Sequence, residues 1–217
     1  MDGGLVFPTC EDAARFDSRG EAVFIDLVRR PGPDGGHDPK SYGPPLSWAL
    51  DRVRATGAGW IRLVPDLLPG VLPGLGRADE AEWISYAGVV QELVLWFGLH
   101  HEPAPVTARK ATVLPARTSL TARGLPEPSV RPPGRYVYVP DPAVVHAGLA
   151  AEVAEDIACG PLDGGTLLTS DELRHTRSRR CTRSSRWRPT PWSRSRSRRD
   201  RWSSWSSSSP WRTAPWH

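Results

Sequence analysis

The last 44 residues of this 217-residue chain, 174–217, contain no Leu, Ile, Val, Phe, Tyr, Gly, Lys or Glu. They consist mainly of 13 Arg, 12 Ser and 6 Trp. Without an aliphatic side chain larger than that of Ala214, this segment cannot bury enough apolar surface to form an ordinary core. The sequence therefore predicts a disordered Arg/Ser/Trp-rich tail over residues 174–217.

Three hypotheses explain this tail. Arginines among tryptophans supply phosphate contacts and stacking platforms, which favours an RNA-binding arm. A plain solvated extension is the second hypothesis. The third, which we favour, is translation in a shifted reading frame, because Trp and Ser codons of a GC-rich gene encode Val when read one base earlier. Under that shift residues 193–197 conceal alternating Val and Glu, a strand-like pattern.

Charge divides the chain at the same place. Of the chain's 28 basic and 24 acidic residues, the tail holds 13 and one, which leaves 15 basic and 23 acidic residues in 1–173. The net charge is therefore −8 for residues 1–173 and +12 for the tail. The high overall pI thus gives no reason to expect a nucleic-acid surface outside the tail.

Cysteines are few and long apolar runs are absent. Cys10, Cys159 and Cys181 are odd in number and widely spaced, which argues against a disulfide framework and favours reduced, cytoplasmic thiols. The longest apolar stretch, 89–99, contains two polar residues and is too short to cross a bilayer. Adjacent His100 and His101 point to opposite faces of a strand, so no metal site is predicted.

Residues 22–26 form a continuous apolar run that ends in Asp26, the pattern of a fully buried parallel strand with an acid at its carboxyl end. Sheets of α/β proteins place their ligands at that end. Pro44 and Pro45 mark the start of a helix whose apolar residues repeat at helical spacing until Gly57. Residues 60–64 form the next strand, so a βαβ unit is predicted.

The remaining segments predict further elements. They are an antiparallel hairpin (82–86 and 90–97, turning at 87–88), a weaker strand pair around Pro115, a proline-rich linker (124–134), a strand (135–139), one helix capped by Asp141 and running from 143 to 158, and a short strand (166–169).

An ordered series of short motifs carries a family resemblance. The motifs are Phe24-Ile25-Asp26-Leu27-Val28-Arg29-Arg30, Tyr42-Gly43-Pro44-Pro45-Leu46-Ser47-Trp48, Glu80-Ala81-Glu82-Trp83-Ile84-Ser85, Leu95-Trp96-Phe97-Gly98, Gly134-Arg135-Tyr136-Val137-Tyr138-Val139-Pro140-Asp141 and Leu168-Thr169-Ser170-Asp171. From about residue 10 to residue 173, the chain resembles class I S-adenosylmethionine-dependent methyltransferases with a C-terminal THUMP-like domain.

The resemblance implies an α/β fold. It consists of the C-terminal half of a Rossmann-like methyltransferase sheet with an antiparallel hairpin, followed by a partial α+β THUMP-like domain. The implied domains are a partial methyltransferase domain at 1–122, a linker at 123–134, a partial THUMP-like domain at 135–173 and the tail. S-adenosylmethionine is the implied cofactor, and RNA or another nucleic acid is the implied partner.

The resemblance also implies a catalytic candidate, Asp26, at the head of a family motif similar to Asp-Pro-Ala-Arg-Arg. A carboxylate or backbone carbonyl there would orient the acceptor nitrogen toward the methyl group, so rate comes from positioning. Leu27 stands where the family has proline, which frees φ and restores an N–H. The alternative role for Asp26 is a strand-end residue that caps a loop.

Further candidates follow from the same comparison: Asp12 and Ala13 for the cofactor adenine, Arg29 and Arg30 for a substrate phosphate or carboxylate, and Tyr42, Pro44 and Pro45 for the acceptor pocket. For these residues, roles without function remain the alternatives. Adjacent loop arginines are often only solvated, and a Pro-Pro helix start with a packed Trp48 accounts for the last three residues.

The glycine-rich turn that holds the methionine end of the cofactor is not found ahead of Asp12. We therefore expect a chain truncated at its N-terminus and inactive alone, with an exposed edge strand at 22–26 through which it self-associates. A non-catalytic RNA-binding module and a non-functional gene remnant are the alternative functions.

The reading-frame hypothesis makes a prediction about the gene. Read in another frame after codon 173, the locus should encode aliphatic, strand-like segments. The reason is that the Trp and Ser codons become Val codons when they are read one base earlier. Sequencing the locus and translating all frames checks this. Polar, low-complexity sequence in every frame would contradict it.

Overall fold

A computed structural model of the chain describes residues 22–29, 42–66, 69–70, 78–99, 107–162 and 166–173. For residues 28 and 29 it describes the backbone alone. All of these residues belong to one compact unit.

The described strands are β1 (Val23–Asp26), β2 (Val28–Arg29), β3 (Tyr42–Gly43), β4 (Gly59–Leu63), β5 (Glu80–Tyr86), β6 (Val89–Phe97), β7 (Ala108–Leu114), β8 (Thr118–Thr121), β9 (Tyr136–Tyr138), β10 (Gly160–Pro161) and β11 (Leu168–Ser170). The helices are α1 (Leu46–Thr56), α2 (Pro142–His146) and α3 (Ala150–Asp156).

The predicted βαβ unit is confirmed. Strands β1 and β4 pair in parallel and α1 connects them in sequence. Helix α1 buries Leu46, Ala49, Leu50 and Val53, which lie on one face because they are three or four residues apart. The helix ends where predicted, since Gly57 takes a left-handed φ of 84° and its N–H donates to the carbonyl of Val53 at 2.8 Å.

Six strands form the main sheet, in the order β1-β4-β6-β5-β7-β8. Strands β1 and β4, and β5 and β7, pair in parallel, whereas the other neighbours are antiparallel. The predicted hairpin is β5–β6, and its turn residues Ala87 and Gly88 both have positive φ, as a tight hairpin turn requires. The predicted pair around Pro115 is β7–β8. Both predictions are confirmed.

The main sheet has two unlike faces because side chains alternate along each strand. One face, here called the core face, is apolar and buried, and the buried residues of all three described helices join its cluster. Its largest fully buried side chains include Trp83, Ile61, Leu63, Leu93 and Leu95. The other face, here called the open face, carries Phe24, Asp26, Trp60, Arg62, Glu80, Glu82, Glu92, Trp96, Lys110 and Thr112.

The prediction that β1 is fully buried is wrong. Only Ile25 is buried within it, while Phe24 is 52% exposed on the open face. Among the strands that the structure describes, β1 pairs with β4 alone and stands at one end of the sheet. The expectation of an edge strand at 22–26 is therefore confirmed for this part of the chain.

The C-terminal part begins as predicted and then departs from the prediction. Asp141 caps α2, its Oδ1 accepting the N–H of Ala143 at 2.9 Å, with Pro142 in the first turn. The single helix predicted over 143–158 is wrong, because α2 ends at His146 and α3 starts at Ala150.

An arginine from the main sheet explains the break. Nη1 of Arg109, on β7, donates to the carbonyls of Ala147 at 2.7 Å and Gly148 at 3.0 Å. Gly148 itself has a φ of 64°. The side chain of Arg109 thus satisfies carbonyls that a continuous helix would have bonded to later N–H groups.

The second sheet has the antiparallel order β10-β11-β9, which confirms the two short strands predicted in this region with bounds shifted by one or two residues. Arg123, which lies two residues after β8, bonds to α3. Its backbone N–H donates to the carboxylate of Glu152 at 3.0 Å, and its Nη2 donates to Asp156 at 2.9 Å. The boundaries between the methyltransferase, linker and THUMP-like segments remain a prediction. No described helix is both long and apolar enough to cross a membrane.

Two glycines near the βαβ unit provide a matched test. A Cβ on Gly57 would meet no atom within 4 Å, so Gly57→Ala should cost about 1 kcal/mol of unfolding free energy through its left-handed backbone alone. A Cβ on Gly59, whose φ is 154°, would lie 2.1 Å from the carbonyl oxygen of Val23. We expect Gly59→Ala to cost about 3 kcal/mol, because the β1–β4 pairing must move apart.

Urea unfolding of the two variants and the wild type checks this prediction. Equal losses for the two alanine variants would mean that the close approach of β1 to Gly59 does not contribute to stability.

Candidate functional site

The carboxyl ends of β1 and β4 lie side by side because the two strands are parallel. Their register pairs Asp26 with Arg62. Both residues occupy outward positions of strands whose alternate residues, Ile25 and Ile61, are buried. The pattern of burial therefore places the carboxylate and the guanidinium together on the open face.

Arg62 joins two carboxylates from two other strands. Its Nη1 donates to both oxygens of Asp26, at 2.9 Å and 3.0 Å, and its Nε donates to Oε2 of Glu92. The hydrogen bonds that Arg62 donates to Glu92 and then to Asp26 raise the pKa of Arg62 above its ordinary value, although burial opposes the shift. The Asp26–Arg62–Glu92 triad thus holds one fixed cation between two acids, across β1, β4 and β6.

Leu27 follows Asp26, at the position where the family resemblance implies proline. The N–H of Leu27 donates to the carbonyl of Arg62 at 3.1 Å, and its side chain is buried. Proline has no N–H to make this bond. The restored N–H therefore extends the β1–β4 ladder by one residue, and that pairing orders the backbone next to Asp26.

A short strand pair follows directly. Strand β2 pairs with β3 in antiparallel fashion, with Val28 opposite Gly43 and Arg29 opposite Tyr42. The structure therefore brings the backbone of Arg29 next to Tyr42, within a few residues of Asp26. The side chain of Tyr42 is 5% exposed and belongs to the core cluster, which makes it a packing residue here.

The two prolines that precede α1 differ in their exposure. Pro44 is partly buried after β3, and Pro45 is exposed at the N-cap position of α1. Their place confirms the prediction that a helix begins directly after them. Whether they also line an acceptor pocket stays a prediction.

Several predicted site residues lie outside the described part of the chain. They are Asp12, Ala13 and Arg30, and the side chain of Arg29 is likewise not described; His100 and His101, for which no metal site was predicted, also lie outside the described residues. Within the ranges that the structure describes, no three His, Cys, Asp or Glu side chains are grouped as metal ligands would be.

Arg62 and Glu92 are site residues that were not predicted from the sequence. Alternation in Trp60-Ile61-Arg62-Leu63 assigns Arg62 to the polar face, and a parallel partner ending in Asp26 would have suggested the pair. Glu92 carried no such signal, because its place depends on the order β1-β4-β6, which inserts an antiparallel strand next to β4.

A second polar network lies farther along the open face. Glu82 is largely buried and accepts hydrogen bonds from Nε1 of Trp96, at 3.0 Å, and from the hydroxyl of Thr112. Nζ of Lys110 lies 3.4 Å from Glu82 and 3.3 Å from Glu80. Burial lowers the pKa of Lys110, but the charges of Glu82 and Glu80 outweigh it and leave that pKa raised.

The loop after β4 meets the C-terminal part of the chain. Nδ1 of His146, on α2, lies 2.9 Å from the carbonyl oxygen of Pro65. Pro65 follows β4 by two residues, so α2 contacts the loop that leaves the carboxyl end of that strand. This contact gives His146 a structural role.

Comparison with known proteins gives the class of fold. Over 137 residues, which are 61% of this chain, the sequence is 33% identical to uncharacterized S-adenosylmethionine-dependent methyltransferases of Mycobacterium tuberculosis strains CDC 1551 / Oshkosh and ATCC 25618 / H37Rv. The match covers 36% of those proteins, so the chain spans about a third of their length.

A solved structure agrees in fold. The crystal structure of a Porphyromonas gingivalis W83 protein assigned as a methyltransferase matches with a TM-score of 0.58 and 21% identity, over 72% of this chain and 41% of that one. No family model matches the chain. The fold of this chain is therefore similar to that of part of a methyltransferase, and its sequence is similar to part of S-adenosylmethionine-dependent methyltransferases. The THUMP-like domain stays a prediction.

Removing the cation of the second network tests its contribution. Lys110→Met should lower the unfolding free energy by about 1–2 kcal/mol at pH 7, because two close carboxylates lose their shared partner. Since the folded pKa of Lys110 is raised, its stabilisation is fully present below the ordinary value of 10.5 and is lost as pH rises through the folded value. The difference between wild type and variant should therefore shrink above pH 10.5.

Urea titrations from pH 7 upward measure that difference. The exposed pair Arg54–Asp51 supplies the control, as Arg54→Ala should change stability by less than about 0.5 kcal/mol. A Lys110→Met effect that stays constant through strongly alkaline pH would contradict the electrostatic explanation.

Proposed function

We propose that this chain acts in methyl transfer from S-adenosylmethionine to a nitrogen of RNA or another nucleic acid, and that it contributes the acceptor side of the site. The proposal rests on a parallel β1–α1–β4 unit whose first strand ends in Asp26, in a chain 33% identical over 137 residues to S-adenosylmethionine-dependent methyltransferases. The carboxyl ends of such strands are where α/β sheets bind ligands.

Asp26 is suited to hold an acceptor amine. Its side chain is 45% exposed, so a ligand can reach it, and Arg62 occupies only part of the hydrogen-bonding capacity of its two oxygens. A carboxylate held in one orientation accepts an N–H of the acceptor and directs the nitrogen lone pair toward the methyl donor. Such positioning alone supplies a large part of the rate in group transfer.

The donor supplies an electrophilic methyl group on a sulfonium. Within the described ranges, no glycine-rich turn joins a strand to a helix, so these residues do not provide a cradle for the methionine end of the donor. Asp12 and Ala13 remain the proposed adenine contacts. We infer that this chain alone transfers methyl groups poorly or not at all.

RNA recognition is proposed for the THUMP-like segment, 135–173. Residues 1–173 carry 15 basic against 23 acidic side chains, so this recognition would depend on specific contacts. Binding through such contacts has a weaker salt dependence than binding through the 13 arginines of the tail.

Asp26→Asn is the direct test. The amide keeps the shape of the side chain but replaces one acceptor oxygen by a donor, so any methyl transfer that the wild-type chain supports should fall by about 100-fold while the affinity for S-adenosylmethionine stays the same. Transfer of tritium from labelled S-adenosylmethionine to total bacterial RNA measures the rate, and calorimetry measures donor binding. Arg54→Ala is the control, because it removes an exposed arginine far along α1 from Asp26.

Three results are decisive. Equal and measurable rates for wild type and Asp26→Asn would remove Asp26 from the site. Measurable methyl transfer that never reaches RNA or another nucleic acid would contradict the proposed acceptor. No donor binding by the wild type would confirm the inference that this chain alone is inactive, and would limit the proposal to acceptor recognition.

A further inference from the structure

The two ends of the main sheet differ in how they are protected. Strand β8, at one end, is polar (Thr118–Thr121) and is followed by Arg123. Strand β1, at the other end, reads Val-Phe-Ile-Asp and contains no Lys, no Pro and no bulge, the devices that usually prevent edge pairing. Of the two ends, β1 is therefore the one suited to accept another strand.

The backbone of β1 offers the hydrogen bonds for this. The N–H groups of Val23 and Leu27 donate to the carbonyls of Ala58 and Arg62, at 3.2 Å and 3.1 Å. Because alternate residues of a parallel strand bond to alternate sides, the N–H and C=O groups of Phe24 and Asp26 point away from β4. Among the described strands, none lies on that side.

A row of aromatic rings crosses the open face and stops at this edge. The ring centroids of Trp96 and Trp60 are 5.6 Å apart, and those of Trp60 and Phe24 are 5.4 Å apart. These distances are favourable for aromatic pairs. Phe24, the last ring in the row, is 52% exposed.

Charge does not oppose pairing at this edge. The single acid of β1, Asp26, is already bonded to Arg62 on its own sheet. Two β1 edges can therefore approach without bringing two unpaired carboxylates together.

We propose that a second copy of this chain pairs with β1 in antiparallel fashion, with Phe24 opposite Phe24 of the second copy. This register places Val23 opposite Ile25, and Asp26 opposite Ala22, of the second copy. It joins the two aromatic rows into one of six rings. The alternative register, centred on Ile25, sets Phe24 against a carboxylate and interrupts the row.

The expected dimer is weak and reversible. Strand β1 is only four residues long. Pairing two such strands buries less surface than the roughly 1,200 Å² that a stable interface buries. We expect a dissociation constant of about 100 μM for the full chain. Association should persist in 0.5 M salt, because backbone pairing and ring contacts are not screened, whereas contacts between the basic tail and acidic surfaces are.

Analytical ultracentrifugation of the full chain at low and high salt tests the proposal. Phe24→Lys should weaken dimerisation at least about tenfold, since it removes the terminal ring and charges the edge. Tyr86→Lys is the matched control, because Tyr86 is 56% exposed at the end of β5, away from β1, and its loss should leave the dimer unchanged. A monomer at millimolar concentration, which is also the result if another segment of the same chain occupies the edge, would overturn the proposal.

A cross-link keeps the test independent of how well Phe24→Lys folds. Directly opposed residues have Cβ atoms about 4.5–5.5 Å apart, close enough for a disulfide after small adjustment. Under mild oxidation, Phe24→Cys should give a dimer whose peptides are joined at residue 24, as identified by mass spectrometry. Failure to join there, or equally efficient joining in Tyr86→Cys, would also overturn the proposal.

Discussion

The parallel pairing of β1 with β4 is the interaction on which the rest of the described structure depends. Its register sets Asp26 beside Arg62, and Gly59 allows the backbone of β1 to come close enough to pair. The same pairing turns Ile25 and Ile61 into the core beneath α1. A shift of one residue would reverse both faces, burying the charges and exposing the apolar residues.

The open face of the sheet combines features that are usually separated. Aromatic rings occupy one end of the strands, and ion pairs occupy the rest, so hydrophobic and charged neighbours share a single surface. The acids on this face have basic partners. Arg62 forms ion pairs with Asp26 and Glu92, and Lys110 forms ion pairs with Glu80 and Glu82. A largely buried carboxylate such as that of Glu82 is tolerable only because these partners compensate it.

The likeness to methyltransferases covers about a third of the length of the mycobacterial relatives. The contact of His146 with Pro65 links the C-terminal part to the loop beyond β4. That contact lies near the carboxyl edge of the main sheet, where the acceptor is proposed to bind.

Local patterns in the sequence determined the βαβ unit, the hairpin, the end of α1 at Gly57 and the cap at Asp141, because periodicity and turn chemistry act between near neighbours. Only the tertiary structure decided the triad, whose Asp26 and Glu92 lie 36 and 30 residues from Arg62 in sequence. It also decided the break after α2, where the side chain of Arg109 arrives from β7. These features depend on the order and register of distant strands, which short-range patterns do not specify.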